Sequence, residues 1–144
     1  MPILAGQIVT AGQLNRLKPT VYFAVGSAAH TGPATNIDIT GAAINLVTEV
    51  PGATYEAECV WDADTIGTGA ATGTARLHVD GANLSPLAVF SDAVTSDRGT
   101  FSQNYSGTLP AAGAHLFKLV ASPGTDQRIQ GVNCSIKVTI HEVV

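Results

Sequence analysis

From Val21 onward, apolar residues recur at every second position of this chain, and turn residues interrupt the alternation at short intervals. Successive side chains of a β-strand point to opposite faces, so this pattern predicts strands with one buried and one exposed face. The clearest run spans Thr54 to Asp62. Its two faces carry, respectively, Tyr55, Ala57, Cys59 and Trp61, and Glu56, Glu58 and Asp62. Such runs continue to the last residues, so the sequence predicts an all-β protein.

The runs number roughly eight to ten, without an internal repeat, which suits two packed antiparallel sheets. We predict an antiparallel β-sandwich of jelly-roll connectivity over residues 20–144, preceded by an N-terminal arm, residues 1–19, with one short helix. Several breaks are also predicted. They are a strand end at Gly41, a loop over Asp64 to Gly73, an edge strand bent by Pro86 over Leu84 to Phe90, and a last long strand from about Ile129.

Charged residues make up only 12 % of the chain, against about a quarter in an average domain. A surface with few charges is readily covered by neighbours, so the composition predicts a homo-oligomer. The net charge is −4 and the basic residues are scattered, which argues against nucleic-acid binding. The first residues lack the pattern of a secretion signal, and no apolar stretch approaches 18 residues. We therefore expect a protein made in the cytoplasm that has no membrane partner.

A compact helix signal stands at the beginning of this β-rich chain. Thr10 and Gln13 match a capping box, in which each side chain hydrogen-bonds the other residue's backbone amide. Val9 and Leu14 occupy the positions of a hydrophobic staple, and Pro19 ends the helix. The sequence therefore predicts a helix of about two turns, too short to persist in water unless it docks.

The apolar face of this helix consists of Ile8, Leu14 and Leu17. The residues alone do not decide between two docking partners for this face. The face packs on the protein's own sandwich and closes one end of it, or it reaches a neighbouring protein.

Residues 5–17, AGQIVTAGQLNRL, resemble the opening of many virion proteins of tailed bacteriophages, notably those that infect actinobacteria. Four later segments follow in an order similar to that of the compact β-sandwich of phage tail and fibre modules, a tumour-necrosis-factor-like jelly roll. In those modules a Gly-Thr-His segment opens a late core strand, and this chain has Gly113-Ala114-His115 instead. The four segments are Tyr55–Trp61, Ala75–Asp80, Arg98–Phe101 and Gly113–Leu119.

The resemblance implies a non-enzymatic virion structural protein that forms a homotrimer and attaches to the particle through its arm. The residues implied in docking are Ile8, Val9, Thr10, Gln13, Leu14 and Leu17. A tail-tip, tail-fibre or minor tail component is favoured over a capsid decoration protein, and the expected location is the virion. An alternative of another class is a module that binds a host receptor or cell-wall glycan through the loops Asp64 to Gly73 and Ser91 to Gly99.

Motifs for catalysis are lacking: the sequence has no G-x-S-x-G, H-E-x-x-H or P-loop pattern, and we predict neither an enzyme nor a cofactor. Four aspartates offer oxygen ligands for calcium, but they lack the spacing of a calcium loop, so no metal site is predicted. These are Asp62, Asp64, Asp92 and Asp97. Cys59 and Cys134 fall in apolar strand phases and are predicted to be buried free thiols.

One polar patch is a candidate subunit interface. Arg76, His78 and Asp80 alternate on one strand, and the apolar residues Leu116 and Val120 share a face of another. The three polar residues are also expected to lie near Glu56 and Glu58, in a solvated or inter-subunit ion-pair patch. Among the aromatic residues, only Tyr22 and Phe23 are candidates for an exposed position.

Overall fold

A computed structural model of the chain describes residues 8–68, 71–92 and 94–143, so the first seven residues of the predicted arm lie outside it. The described residues form helix α1 (Ala11–Arg16), a 3-10 helix (Gly131–Asn133) and eleven strands. The strands are β1 (Thr20–Val25), β2 (His30–Thr31), β3 (Ile37–Thr48), β4 (Ala53–Thr65), β5 (Ala71–Val79), β6 (Ala82–Asn83), β7 (Ala88–Asp92), β8 (Arg98–Leu109), β9 (Gly113–Ser122), β10 (Gln127–Ile129) and β11 (Ser135–His141).

The strands form two antiparallel sheets packed face to face. In the six-stranded sheet, β4 is central: β8 pairs along one side, while β11 and then β10 pair along the other. β1 is next to β11, and β2 is next to β10. In the five-stranded sheet the order is β3, β9, β5, and both β6 and β7 pair with β5. This arrangement is an antiparallel jelly-roll sandwich, as the sequence predicts.

The core lies between the sheets and is built from the alternating residues of β4, β5, β9 and β11. Trp61, Leu77 and Phe117 are fully buried, and the ring of Tyr55 meets that of Phe117 edge to face, with centroids 5.0 Å apart. The alternation predicted for Thr54 to Asp62 is therefore confirmed. Phe23 is exposed on β1, whereas Tyr22 packs against the core.

The predicted loop over Asp64 to Gly73 is wrong at both ends. β4 continues through Thr65, and β5 begins at Ala71. The prediction relied on the low apolar content of this segment. Asp64 can nevertheless occupy a strand position because an arginine pairs with its carboxylate, as described below. Gly73 is a strand residue that leaves room for the Phe90 ring, since a Cβ at position 73 would lie 2.1 Å from that ring.

Three other boundaries differ from the predicted ones. β3 does not end at Gly41 but passes through it with a bulge, which shifts its register on β9. The predicted strand around Pro86 is two short strands, β6 and β7, on either side of a cis Ser85–Pro86 bond. The predicted last strand is divided by the 3-10 helix into β10 and β11.

β4 runs the length of the sandwich, so its two ends define the two ends of the molecule. Its 13 residues span roughly 43 Å at the usual rise of a strand. Helix α1 and the C-terminal residues of β3 and β11 lie at its beginning, which we call the anchor end. The segments that follow β4, β7 and β9 meet at its other end, which we call the loop end.

Candidate functional site

Helix α1 begins with the predicted capping box. The amide of Gln13 donates to the Thr10 hydroxyl at 3.2 Å, and the Thr10 amide donates to the Gln13 side chain at 2.9 Å. The backbone amides at the beginning of a helix lack intrahelical hydrogen-bond partners. The capping box supplies side-chain acceptors for two of these amides, those of Thr10 and Gln13. The sequence therefore determines the beginning of the helix locally. Its short length means that tertiary contacts decide where it lies.

Polar contacts hold α1 on the anchor end of the sandwich. The Arg16 Nε donates to the Val143 carbonyl at 3.2 Å, and its Nη1 lies 3.4 Å from the Glu49 carboxylate. The Glu49 amide in turn donates to the Glu142 carboxylate at 2.8 Å. An open groove of about 230 Å³ lies between the helix and the sandwich, and Arg16, Lys18, Glu49 and Glu142 are among the residues that line it. One arginine thus connects the helix to two separate segments.

The apolar face of α1 points away from the sandwich. Ile8, Leu14 and Leu17 are 88 %, 54 % and 55 % exposed. The alternative in which this face packs on the protein's own sandwich is therefore wrong. The physical reason is that Arg16, on the other side of the helix, makes the contacts with the sandwich.

The strand that follows the helix also presents apolar side chains to solvent. Val21, Phe23 and Val25 lie on the outer face of β1, which pairs only with β11 among the described strands. Together with the helix face, residues 8–25 carry six of the thirteen large hydrophobic side chains that are exposed in the described part of the chain. Exposed apolar groups concentrated in one short segment indicate an interaction surface.

The predicted interface patch is on the outer face of the five-stranded sheet. Arg76 lies beside Val120 in the register of β5 and β9, and His78 lies beside Lys118. Val120 is only 1 % exposed, so it offers no surface to a partner. The expectation that this patch meets Glu56 and Glu58 is wrong, because those two residues lie on β4, in the other sheet of the sandwich, with their side chains exposed. Alternation alone does not reveal which sheet a strand joins.

Asp80 and Leu116, the other members of that patch, belong to a partly buried hydrogen-bond network. The Asp80 carboxylate lies 2.6 Å from His115 Nδ1 and accepts from the Leu116 amide at 2.8 Å. His115 Nε2 lies 3.2 Å from the Thr48 hydroxyl and 3.1 Å from the Ala111 carbonyl. An acid, a histidine and a hydroxyl in this order resemble a catalytic triad. Thr48 is only 2 % exposed, however, so no substrate reaches its hydroxyl, and the network ties the turns of the anchor end together.

The loop end contains a pair of ion pairs that sequence reasoning missed. On the outer face of β4, Arg98 binds Asp62 through Nε at 2.8 Å and Nη2 at 2.6 Å. Arg128 binds Asp64 through Nε and Nη2 in the same way, and the side-chain amide of Gln130 donates to Asp64 at 3.1 Å. We call these four charged residues the Asp–Arg ladder. Both carboxylates are nearly covered, with side chains 6 % and 9 % exposed, while the arginines remain 48 % and 39 % exposed.

The pKa values agree with this geometry. The hydrogen bonds from Arg128, opposed by burial, lower the pKa of Asp64, and the carboxylates raise the pKa of both arginines. Two of the four aspartates considered as calcium ligands, Asp62 and Asp64, are therefore bound by guanidinium groups. No group of three or more potential metal ligands occurs in residues 8–68, 71–92 and 94–143.

The two loops named for receptor binding meet at the loop end, as far as they are described. The Thr65 amide donates to the Asp97 carbonyl at 2.9 Å, and the Ser96 amide donates back to the Thr65 carbonyl at 2.7 Å. The Thr95 hydroxyl donates to the Gly67 carbonyl at 2.7 Å. The two loops thus form one surface beside the Asp–Arg ladder. Residues 69, 70 and 93 of these loops lie outside the described residues.

Cys59 and Cys134 are buried free thiols, as predicted. Burial raises their pKa values to about 12 and about 11, so neither forms the thiolate needed for nucleophilic chemistry near neutral pH.

Helices in the described residues are all too short and insufficiently apolar to cross a membrane.

Comparisons with known proteins find neither a matching family model nor a matching curated protein. Solved structures with a similar fold include the globular domain of the zebrafish complement 1qA protein, at 12 % identity over 88 % of this chain and 98 % of that one, with a TM-score of 0.45. Murine APRIL is similar over 86 % of this chain and 99 % of that one, at 7 % identity and a TM-score of 0.43. Infectious bursal disease virus strain Gt is similar at 14 % identity and a TM-score of 0.44, over 88 % of this chain but only 38 % of that one. At these identities and TM-scores the comparisons assign neither a family nor a role to this chain.

Proposed function

We propose that this protein is a non-enzymatic structural component of a bacteriophage virion, which self-associates and attaches to the particle through its N-terminal segment. One observation carries the proposal: exposed apolar side chains are concentrated in residues 8–25, while Arg16 holds the helix with its apolar face outward. A segment arranged in this way is suited to a protein neighbour. The resemblance of residues 5–17 to the openings of phage virion proteins supports another virion protein as this neighbour.

The part of the outer face of the six-stranded sheet that β1 and β11 form is the proposed surface of self-association, and a homotrimer is the proposed form. Its edge strand β1 supplies Val21, Phe23 and Val25 as the apolar part. The neighbouring Lys137, beside Phe23 in the register of β1 and β11, is already paired with Glu58 at 2.8 Å. Such a face is covered by a partner with little cost in unpaired charge.

Sedimentation equilibrium tests this association. The unchanged protein is expected to sediment at three times its subunit mass of 14.7 kDa. Val21→Asp should weaken association at least tenfold, because it places an unpaired charge in the contact. Val47→Asp is the matched control: Val47 is 67 % exposed but lies on the outer face of the other sheet. A monomer at all concentrations, or equal effects of the two variants, contradicts the proposed surface.

Incorporation into particles tests the attachment. In phage that encode Leu14→Asp together with Leu17→Asp, the protein should be soluble and folded but absent from purified virions. Lys18→Gln, an exposed change beside the same helix, should leave incorporation unchanged. Unchanged incorporation of the double variant would refute attachment through α1. The copy number per particle separates the favoured tail component, expected in multiples of three, from a capsid decoration protein, expected in multiples of sixty.

A module that binds a host receptor or cell-wall glycan is the second candidate. The cross-bonded loops at the loop end favour it, because they create one continuous surface far from the anchor end. Binding of the isolated protein to host cells tests this candidate. Saturable binding supports it, and its absence favours a purely structural role.

A further inference from the structure

We propose that Arg98 and Arg128 form a binding site for the oxyanion groups, carboxylate or phosphate, of an anionic polysaccharide or polyphosphate polymer. This inference concerns the loop end and does not depend on attachment through α1. It rests on the Asp–Arg ladder, on the free edges of its two guanidinium groups and on the side chains between them.

Each guanidinium is fixed before any ligand arrives. Asp62 and Asp64 hold them through two hydrogen bonds each, and the carboxylates are themselves nearly covered. An exposed arginine normally loses side-chain freedom when it binds a ligand. Here the aspartates have already fixed the side chains, so a ligand pays little of that entropy.

Each guanidinium also keeps donors for a ligand. Nε and Nη2 are used by the aspartate, whereas Nη1 has no hydrogen-bond partner in the described part of the chain. An arginine carries five N–H groups, so two on Nη1 remain free to meet an oxyanion. Both side chains are more than a third exposed, which leaves this edge accessible.

The spacing and surroundings of the two groups favour a polymer over a single small anion. In the register of the sheet, Arg98 and Arg128 both lie opposite Asp64 on its two sides, so their Cα atoms are about 10 Å apart, two inter-strand spacings. Thr100 and Ser102, both exposed, follow Arg98 on the same face of β8 and offer hydroxyl groups to a sugar.

The Asp–Arg ladder carries no net charge, which limits the affinity expected of one site for an anion. Attraction therefore comes from short-range hydrogen bonds and not from a long-range positive field. Affinity for one repeating unit should be weak, and polymers that engage several sites of an oligomer should bind much more tightly.

Calorimetric titration of the protein with four probes tests the proposal: polygalacturonate for carboxylate, linear polyphosphate for phosphate, dextran as the neutral polymer, and polyglutamate as an acidic polypeptide. Arg98→Gln alone would leave Asp62 buried without its partner and destabilise the fold. The informative variants therefore change both members of a pair, Asp62→Asn with Arg98→Gln, and Asp64→Asn with Arg128→Gln. The matched control is Asp38→Asn with Lys118→Gln, an ion pair on the outer face of the other sheet, away from the proposed self-association surface.

The unchanged protein should bind one or both anionic polymers and not dextran. Each ladder variant should bind at least tenfold more weakly, which corresponds to the loss of one charge-assisted hydrogen bond. The control pair should bind as the unchanged protein does. Absence of binding to both anionic polymers overturns the proposal, as does equal weakening by the control pair. Binding of polyglutamate alone would also overturn it, by pointing to an acidic protein partner.

Discussion

The anchor end and the loop end of this sandwich are held together in different ways. At the anchor end, helix α1 is attached through Arg16, whose partner Glu49 is 70 % exposed, and its apolar face is open to solvent. At the loop end, two nearly covered carboxylates are each bound by an arginine through two hydrogen bonds, and the loops bond to each other. The first end is weakly tied and apolar, and the second is firmly tied and polar. The difference suits an end that docks on a neighbour and an end that presents a fixed surface.

Removing one arginine from each end should show the difference most strongly. Arg128→Ala leaves the Asp64 carboxylate, 9 % exposed, without its main partner. We expect a loss of about 2–3 kcal/mol in the free energy of unfolding, below the about 3–5 kcal/mol of a fully buried pair because Arg128 is partly exposed. Arg16→Ala should cost less than about 1 kcal/mol, as for other exposed pairs. Urea denaturation measures both, and similar losses would contradict the comparison.

Glycine substitutions at the two ends should have opposite signs. Gly73→Ala places a Cβ 2.1 Å from the Phe90 ring and 2.5 Å from the Gln127 side chain, so we expect a loss of about 1–3 kcal/mol from overpacking. Gly12→Ala, inside α1, meets only Arg16 and Thr10 side-chain atoms at 3.7 and 3.9 Å. It should raise the stability of the helix by about 0.5–1 kcal/mol. Thermal unfolding reports the first change and amide hydrogen exchange in α1 the second.

The anchor end was the more predictable of the two, because its main features are local in sequence. The capping box joins residues three apart, and Thr10 and Gln13 reveal it without any knowledge of the fold. The strand alternation that identifies Trp61 as a core residue is equally local. The sequence does not show which way the apolar face of α1 points, because this depends on the contacts of Arg16 with the distant residues Glu49 and Val143.

The loop end was poorly predicted because its contacts join distant residues. Arg98 and Arg128 are 36 and 64 positions from their aspartates, and only the strand order brings them together. Asp64 therefore resembles a loop residue in sequence although it lies in β4. The same reason explains the misplaced patch: Arg76 and Glu56 alternate correctly on their strands, but these strands belong to different sheets.

Acid should loosen both ends, since each contains one carboxyl group with a lowered pKa. Hydrogen bonds from Arg128 lower the pKa of Asp64; burial raises the pKa of Asp80, but hydrogen bonds from His115 and Leu116 outweigh this effect. A carboxyl whose pKa is lower in the folded state stabilises it above the unfolded value of about 3.9, and this stabilisation disappears as pH falls through the folded value. The urea midpoint should therefore drop below about pH 4. Asp64→Asn with Asp80→Asn should be less stable at pH 7 and show a flatter pH profile, and an unchanged slope would contradict this assignment.

The smallest effect on stability is expected where the largest effect on docking is proposed. Leu14→Asp together with Leu17→Asp changes side chains that are 54 % and 55 % exposed and contribute little burial to the fold. The free energy of unfolding should change by less than about 0.5 kcal/mol, as for other exposed positions. Leu109→Ala, a change at a side chain only 2 % exposed, is the control and should cost about 2–5 kcal/mol. A large loss in the double variant would mean that the helix face packs on the sandwich in solution. A negligible loss, with docking abolished, would establish that these leucines serve a neighbour and not the fold.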